Sequence, residues 1–288
     1  LSRVAPTAAA RAAKAANDRE RGFLAAADAL FGSGEAAARR SAHATAMAAL
    51  YDRFPDDPDV ASFYALALLG TMARGLAGGA DAHEHHSAAL AGSVTQTRVS
   101  AILEKVLRDH PNHPGALHYL LHNLDDPAHA RQALTAARRY ATVAPASSHA
   151  LHMPAHIFVQ LGMWADAAQS DRAAYAASDA WVKKRQLPAA MRSYHALSWL
   201  QYELLQLGRH REARDAFAEI EPVVKAAGNA SLISELASMR ARYVIESRRW
   251  DVLARARNFG NVNELFAIGL SAARTGNWPA AELARQAL

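Results

Sequence analysis

The chain has no cysteine. That absence excludes disulfides and thiolate metal sites together, and leaves any metal site to nitrogen and oxygen donors. No apolar run approaches the roughly 18 residues that mark a membrane span; the best stretch, "FYALALLG", is too short. Strand signals are scarce, with few Val and Ile and little alternation, which argues against a sheet-based fold. Several catalytic signatures are missing as well: there is no GxSxG, no GxGxxG, no P-loop and no HExxH, since His83-Glu84 runs on into His85-His86-Ser87. A concentrated block of one charge is also absent. The net charge is +5, but the basic pairs Arg39-Arg40, Arg138-Arg139 and Arg248-Arg249 and the run Lys183-Lys184-Arg185 are far apart, so the sequence argues against a nucleic-acid partner.

What is present is helical. The 288 residues are 51% hydrophobic and 20% charged, a globular composition. Ala, Leu, Glu and Arg dominate stretches of helical period, separated by breaks such as "FPDDPD", "HPNHPG", "LDDPAH", "LGMW", "LGRH" and "TGNW". Pro111 and Pro145 are 34 residues apart, as are His118 and His152, and His122 and His156. That step is the length of the tetratricopeptide helix-turn-helix repeat. Leu151, Ala155, Phe158, Gly162, Trp164 and Ala167 follow its order of large, small, aromatic, turn glycine, aromatic and small residues. Leu197, Leu204, Gly208, Ala213 and Phe217 repeat it, and so do Leu265, Gly269, Gly276, Trp278 and Ala281; a looser copy runs through Ala241, Val244, Trp250 and Leu253. The predicted fold is therefore all-α, a right-handed α-solenoid of tetratricopeptide-like repeats over residues 41–288. Residues 1–40 are expected to supply N-terminal helices continuing a truncated repeat, because the chain opens on Leu1 without a signal-peptide pattern. A Gly- and Ala-rich insert at about 73–93, carrying Asp81, His83, Glu84, His85 and His86, interrupts the ladder.

The histidines share a face. At 100° per residue His149, His152 and His156 fall within about 60° of one another, opposite Leu151, Ala155 and Phe158. His118, His122 and Asp125 share a face one repeat earlier, and His195 aligns with His149 one repeat later, 46 residues on. An isolated histidine is usually a satisfied core or surface group. An HxxxH pair recurring at the repeat period points instead to a constellation aimed at a ligand. Two i,i+4 pairs on packed helices can present three or four imidazole nitrogens to one ion. The predicted ligands are His118, His122, His152 and His156, with His149 or His195 completing or flanking the set and Asp125 or Asp126 as an additional ligand or base. Imidazole donors without thiolate suit a divalent Zn, Cu, Fe or Ni ion. Tyr119 and Tyr202 are expected to line the same groove. Pro154, between His152 and His156, is expected to bend the helix and set their aim, unless the helix starts late, near Met153. His110, His113 and His129 read as caps or surface residues, and His43 and His210 as structural.

The stretch from 111 to 164 resembles a group of bacterial tetratricopeptide proteins. The matching residues are "HPGALHYLLHNLDDP", "AARRYATVAP", "HALHMPAHIF" and "LGMW", with "RERGFLAA" and "FPDDPDVASFYALALL" upstream, so the likeness spans roughly residues 19 to 170. It departs at Ala155, where the group usually has Ser, and at Gln160, where Arg is common. The resemblance implies a helical repeat fold and an exported protein, favouring the bacterial periplasm over the cytoplasm. It implies no particular reaction.

Three functions follow from the residues. The groove binds a transition metal; or it is a metal-free scaffold for a peptide, protein or small molecule; or it is a hydrolytic or oxidative metalloenzyme with an open three-histidine site. Metal content separates the second from the others, and an open coordination position separates the third from the first.

Overall fold

The structure, a computed structural model, describes residues 1, 3–72, 93–227, 229–253 and 260–288. Every regular element among the described residues is helical, as the lack of strand signals predicts. The predicted insert falls on residues 73–92, outside the described residues; Ser93 at its end caps the next helix. No described helix is long and apolar enough to cross a membrane. The chain divides into two compact units, residues 1–143 and 144–288.

In the first unit the helices are α1 (Ala8–Ala12), α2 (Asp18–Phe31), α3 (Ala36–Arg53), α4 (Pro58–Met72), α5 (Val94–Asp109), α6 (Pro114–Asn123) and α7 (Ala130–Val143). Their starts are written in the sequence. Asn17 accepts the Glu20 N–H, Ser93 accepts the Gln96 N–H, and His113 accepts the Ala116 N–H with Pro114 at the first helical position. Each helix packs on the next, and α4 also packs on α6. Met47, Leu50, Val60, Tyr64, Leu103, Leu117 and Leu121 are all at most 2% exposed and form this unit's core.

The second unit comprises α8 (Ser148–Gln160), α9 (Trp164–Lys184), α10 (Tyr194–Gln206), α11 (His210–Ala227), α12 (Ala230–Ser247), α13 (Val262–Arg274) and α14 (Trp278–Ala287). Consecutive helices pack, and α10 packs on α12 as well, so first helices of successive pairs stack. Leu197, Leu204, Ala213, Phe217, Ile220, Met239 and Val244 are buried between them. The turn glycines have one structural role. At the end of α8 the Met163 N–H donates to the Phe158 carbonyl and the Gly162 N–H to that of Val159. The same double bond recurs from Arg209 to Leu204 and Gly208 to Leu205, and from Asn277 to Ala272 and Gly276 to Ala273. This is the Schellman motif, whose penultimate residue takes positive φ. Gly162, Gly208 and Gly276 have φ of 67°, 71° and 78°. In the looser copy "SRRW" stands where "LGMW" and "TGNW" have glycine, and Arg248 there adopts φ 56°.

The 46-residue step from Gly162 to Gly208 also has a physical origin. Helix α9 runs for 21 residues, and a 3-10 turn at Ala189–Met191 precedes α10. The extra length lies in the second helix of the pair and its connection, so the register of the first helices is kept.

Candidate metal centre

Helix α8 starts at Ser148, with the Ser147 hydroxyl accepting the Ala150 N–H, and it continues past Pro154 to Gln160. The late start near Met153 does not occur, so His149, His152 and His156 all lie on the helix. The proline leaves the Ala150 carbonyl without its usual i+4 amide donor.

One departure concerns burial. The histidine face lies opposite the apolar stripe in sequence, and an open groove was expected there. His152 and His156 are each only 3% exposed. Helix α9 covers one flank of α8, while His195 and Trp199 of α10 cover another, so both faces of α8 are enclosed. His195 is half-buried and His149 exposed.

Within that enclosure three ring nitrogens converge. His152 Nε2 is 3.0 Å from His156 Nε2 and 3.1 Å from His195 Nε2. The other nitrogen of His152, Nδ1, lies 2.5 Å from Asp171 Oδ1 on α9. Donation of the Nδ1 proton to this carboxylate fixes the tautomer and leaves Nε2 with a lone pair directed at its two neighbours. One lone pair can accept one N–H, whereas a cation can engage all three nitrogens. Bonds of about 2.0–2.1 Å to a shared ion place nitrogens about 2.9 Å apart at right angles and about 3.3 Å apart at tetrahedral angles. The two measured separations lie between those limits.

Trp199 packs on all three rings, with centroids 4.4 Å from His156, 5.2 Å from His152 and 5.9 Å from His195. Behind Asp171 lies a second acid, Glu203 of α10, and both are 0% exposed. Among the described residues no donor from a third group reaches Asp171 Oδ2 or either Glu203 oxygen, which leaves a shared proton to join the two carboxyls. Burial pushes Glu203 up to about 10, reinforced by the charge of Asp171. Burial also raises Asp171 well above the usual range, and its hydrogen bond with Glu203 pulls it back. One proton shared by the two carboxyls leaves the pair a single negative charge, which faces His152 Nδ1 through Asp171 Oδ1.

These three supporting residues escaped the sequence reading, although two carried a signal. Asp171 sits among Ala167, Ala168 and Ala174, and Glu203 among Ala196, Leu200 and Leu204, all buried. An acid on a buried helical stripe needs a partner. Trp199, one turn after His195, had no such mark.

The other predicted residues have surroundings of their own. In the first unit His118 and His122 form a pair with Nε2 atoms 3.1 Å apart, and Tyr140 stacks on His118 at 5.5 Å. Tyr119 stacks on His118 at 5.4 Å. Asp126 is 2% exposed and accepts from Gln96 Nε2 and from the Ala128 and His129 amides, with His129 Nδ1 at 2.8 Å. It organises the turn between α6 and α7. Asp125 is half-buried beside it in the same turn. Tyr202, half-buried, packs edge-on against Trp164 and lies under the Arg242 guanidinium. His113 caps α6, His110 ends α5 and His43 bonds the Ala26 carbonyl, as read from sequence.

Among the described residues, fold and site together define an all-helical protein with histidine clusters that could hold a metal ion. No protein-family model matches the chain, and no curated protein matches it.

Proposed function

We propose that the chain is a tetratricopeptide-like α-solenoid that binds one divalent transition metal through His152, His156 and His195. The observation that carries this reading is the convergence of three Nε2 atoms, two of them at 3.0 and 3.1 Å from the third. The Asp171 carboxylate on His152 Nδ1 supports it, since metal-bound imidazoles nearly always carry such a partner on the other nitrogen. The donor set, all imidazole and no thiolate, suits Zn, Cu, Fe or Ni. Three protein ligands leave a coordination position for water or another small ligand, the arrangement of reactive rather than purely structural sites. The His118–His122 pair offers two further nitrogens of the same kind.

Elemental analysis of tag-free protein, as purified and after dialysis against these four ions, tests the reading. One equivalent that is lost in a His152→Ala/His156→Ala variant is expected. If neither protein takes up metal under any of these conditions, the site is not a metal centre. The helical array is then to be examined as a peptide-binding scaffold.

A further inference from the structure

Beside the three histidines the second unit opens a cleft of about 450 Å³. His152 and His195 form part of its wall, so two of the three imidazoles meet a space large enough for a small organic molecule. The starts of α8 and α10 flank it: the caps Ser147 and Ser193 both line the cleft, and each heads a helix of 13 residues. Ser178 lines it too and accepts the Ser193 N–H at 2.8 Å, which anchors the start of α10. The outer part is apolar. Trp181 and Met191 line it while remaining 48% and 53% exposed, a large unspent hydrophobic area for two residues that neighbour a polar floor.

Charge decides what this space accepts. Among the described residues no Asp, Glu, Lys or Arg lines the cleft. A divalent ion held by three neutral imidazoles keeps net positive charge toward the open position, because the one carboxylate behind the site, Asp171, offsets a single unit. The helix starts add partial positive charge from the same side. Both favour an anionic group at the inner end, and the indole and thioether favour an apolar body at the outer end.

Resting on the metal assignment above, we infer that the cleft binds a small carboxylate with an apolar body, whose carboxylate occupies the open coordination position while its body packs on Trp181 and Met191. The ligand class is thus amphipathic monocarboxylates rather than free inorganic anions or neutral amides.

The experiment uses the whole chain loaded with Co²⁺, whose visible bands report the coordination shell. Cobalt stoichiometry is measured first, and the loaded protein is then titrated with 3-phenylpropionate, acetate and 3-phenylpropionamide. The expected result is a saturable band shift with 3-phenylpropionate, at least about tenfold tighter than with acetate or the amide. A Trp181→Ala/Met191→Ala variant should keep one cobalt and lose most of that advantage over acetate. Failure to bind cobalt overturns the metal assignment and this inference with it. Cobalt binding with no band shift by any carboxylate overturns the inference alone. So does equal affinity for the amide, or an advantage over acetate that survives in the variant.

Discussion

His152 Nδ1 and Asp171 Oδ1 lie 2.5 Å apart with both side chains out of solvent. The carboxylate orients the ring and raises the basicity of Nε2, the atom that meets His156 and His195. Replacing Asp171 with Asn keeps the shape but removes the charge. Metal affinity, measured by competition with a chromophoric chelator, is expected to fall roughly 10–100-fold with the helical circular dichroism unchanged. Unchanged affinity would show that the carboxyl serves folding only.

Glu203 links stability to pH. Its folded value is raised to about 10 from 4.5, so between those limits the folded protein holds a proton that the unfolded chain has released. Stability contributed by the protonated carboxyl is complete below about 4.5 and declines as pH rises toward 10. In urea melts with a chelator present, wild type is expected to lose on the order of a few kcal/mol from pH 5.5 to 8.5. Glu203→Gln, permanently neutral, should flatten that slope and match wild type at the acid end. A slope unaltered by the substitution contradicts the assignment.

Trp199 provides an optical readout, because its indole lies against all three imidazoles. Binding of Cu²⁺ is expected to quench a fraction of the tryptophan emission with saturation at one equivalent. Trp199→Phe should remove most of that quench while keeping the copper stoichiometry. Quenching that persists in the variant places the ion nearer another of the five tryptophans.

The repeated turn makes opposite predictions at two positions. Gly162, at φ 67°, has open space where a Cβ would go, so Gly162→Ala costs backbone strain alone, about 1 kcal/mol. Arg248 holds the equivalent left-handed position at φ 56° with an exposed side chain, and Arg248→Gly is expected to stabilise by roughly 0.5–1 kcal/mol. Thermal melts of the two variants should move in opposite directions.

The helical breaks were legible because turn chemistry is local. A glycine that closes one helical run just before the next reports one Schellman turn whatever packs around it, as at Gly162, Gly208 and Gly276. The His152–His156 pairing was legible for the same reason, as a relation within one turn of one helix. The burial of that face was not, because it depends on how closely α9 and α10 approach. That approach is set by Ala167, Ala168 and Ala174, of which only Ala167 is marked by the repeat pattern. The hydrogen bonding of Asp126 is not legible, because its position after a histidine-bearing helix says nothing of Gln96, which donates to its carboxylate from 30 residues away. Asp171 and Glu203 were the readable omission, since each breaks a buried stripe.

X-ray absorption at the zinc edge, on protein loaded with one equivalent, tests the central claim most directly. The account predicts three imidazoles at about 2.0–2.1 Å plus one further light ligand, falling to two imidazoles in His195→Ala. A spectrum without imidazole scattering, or one that His195→Ala leaves unchanged, would contradict it.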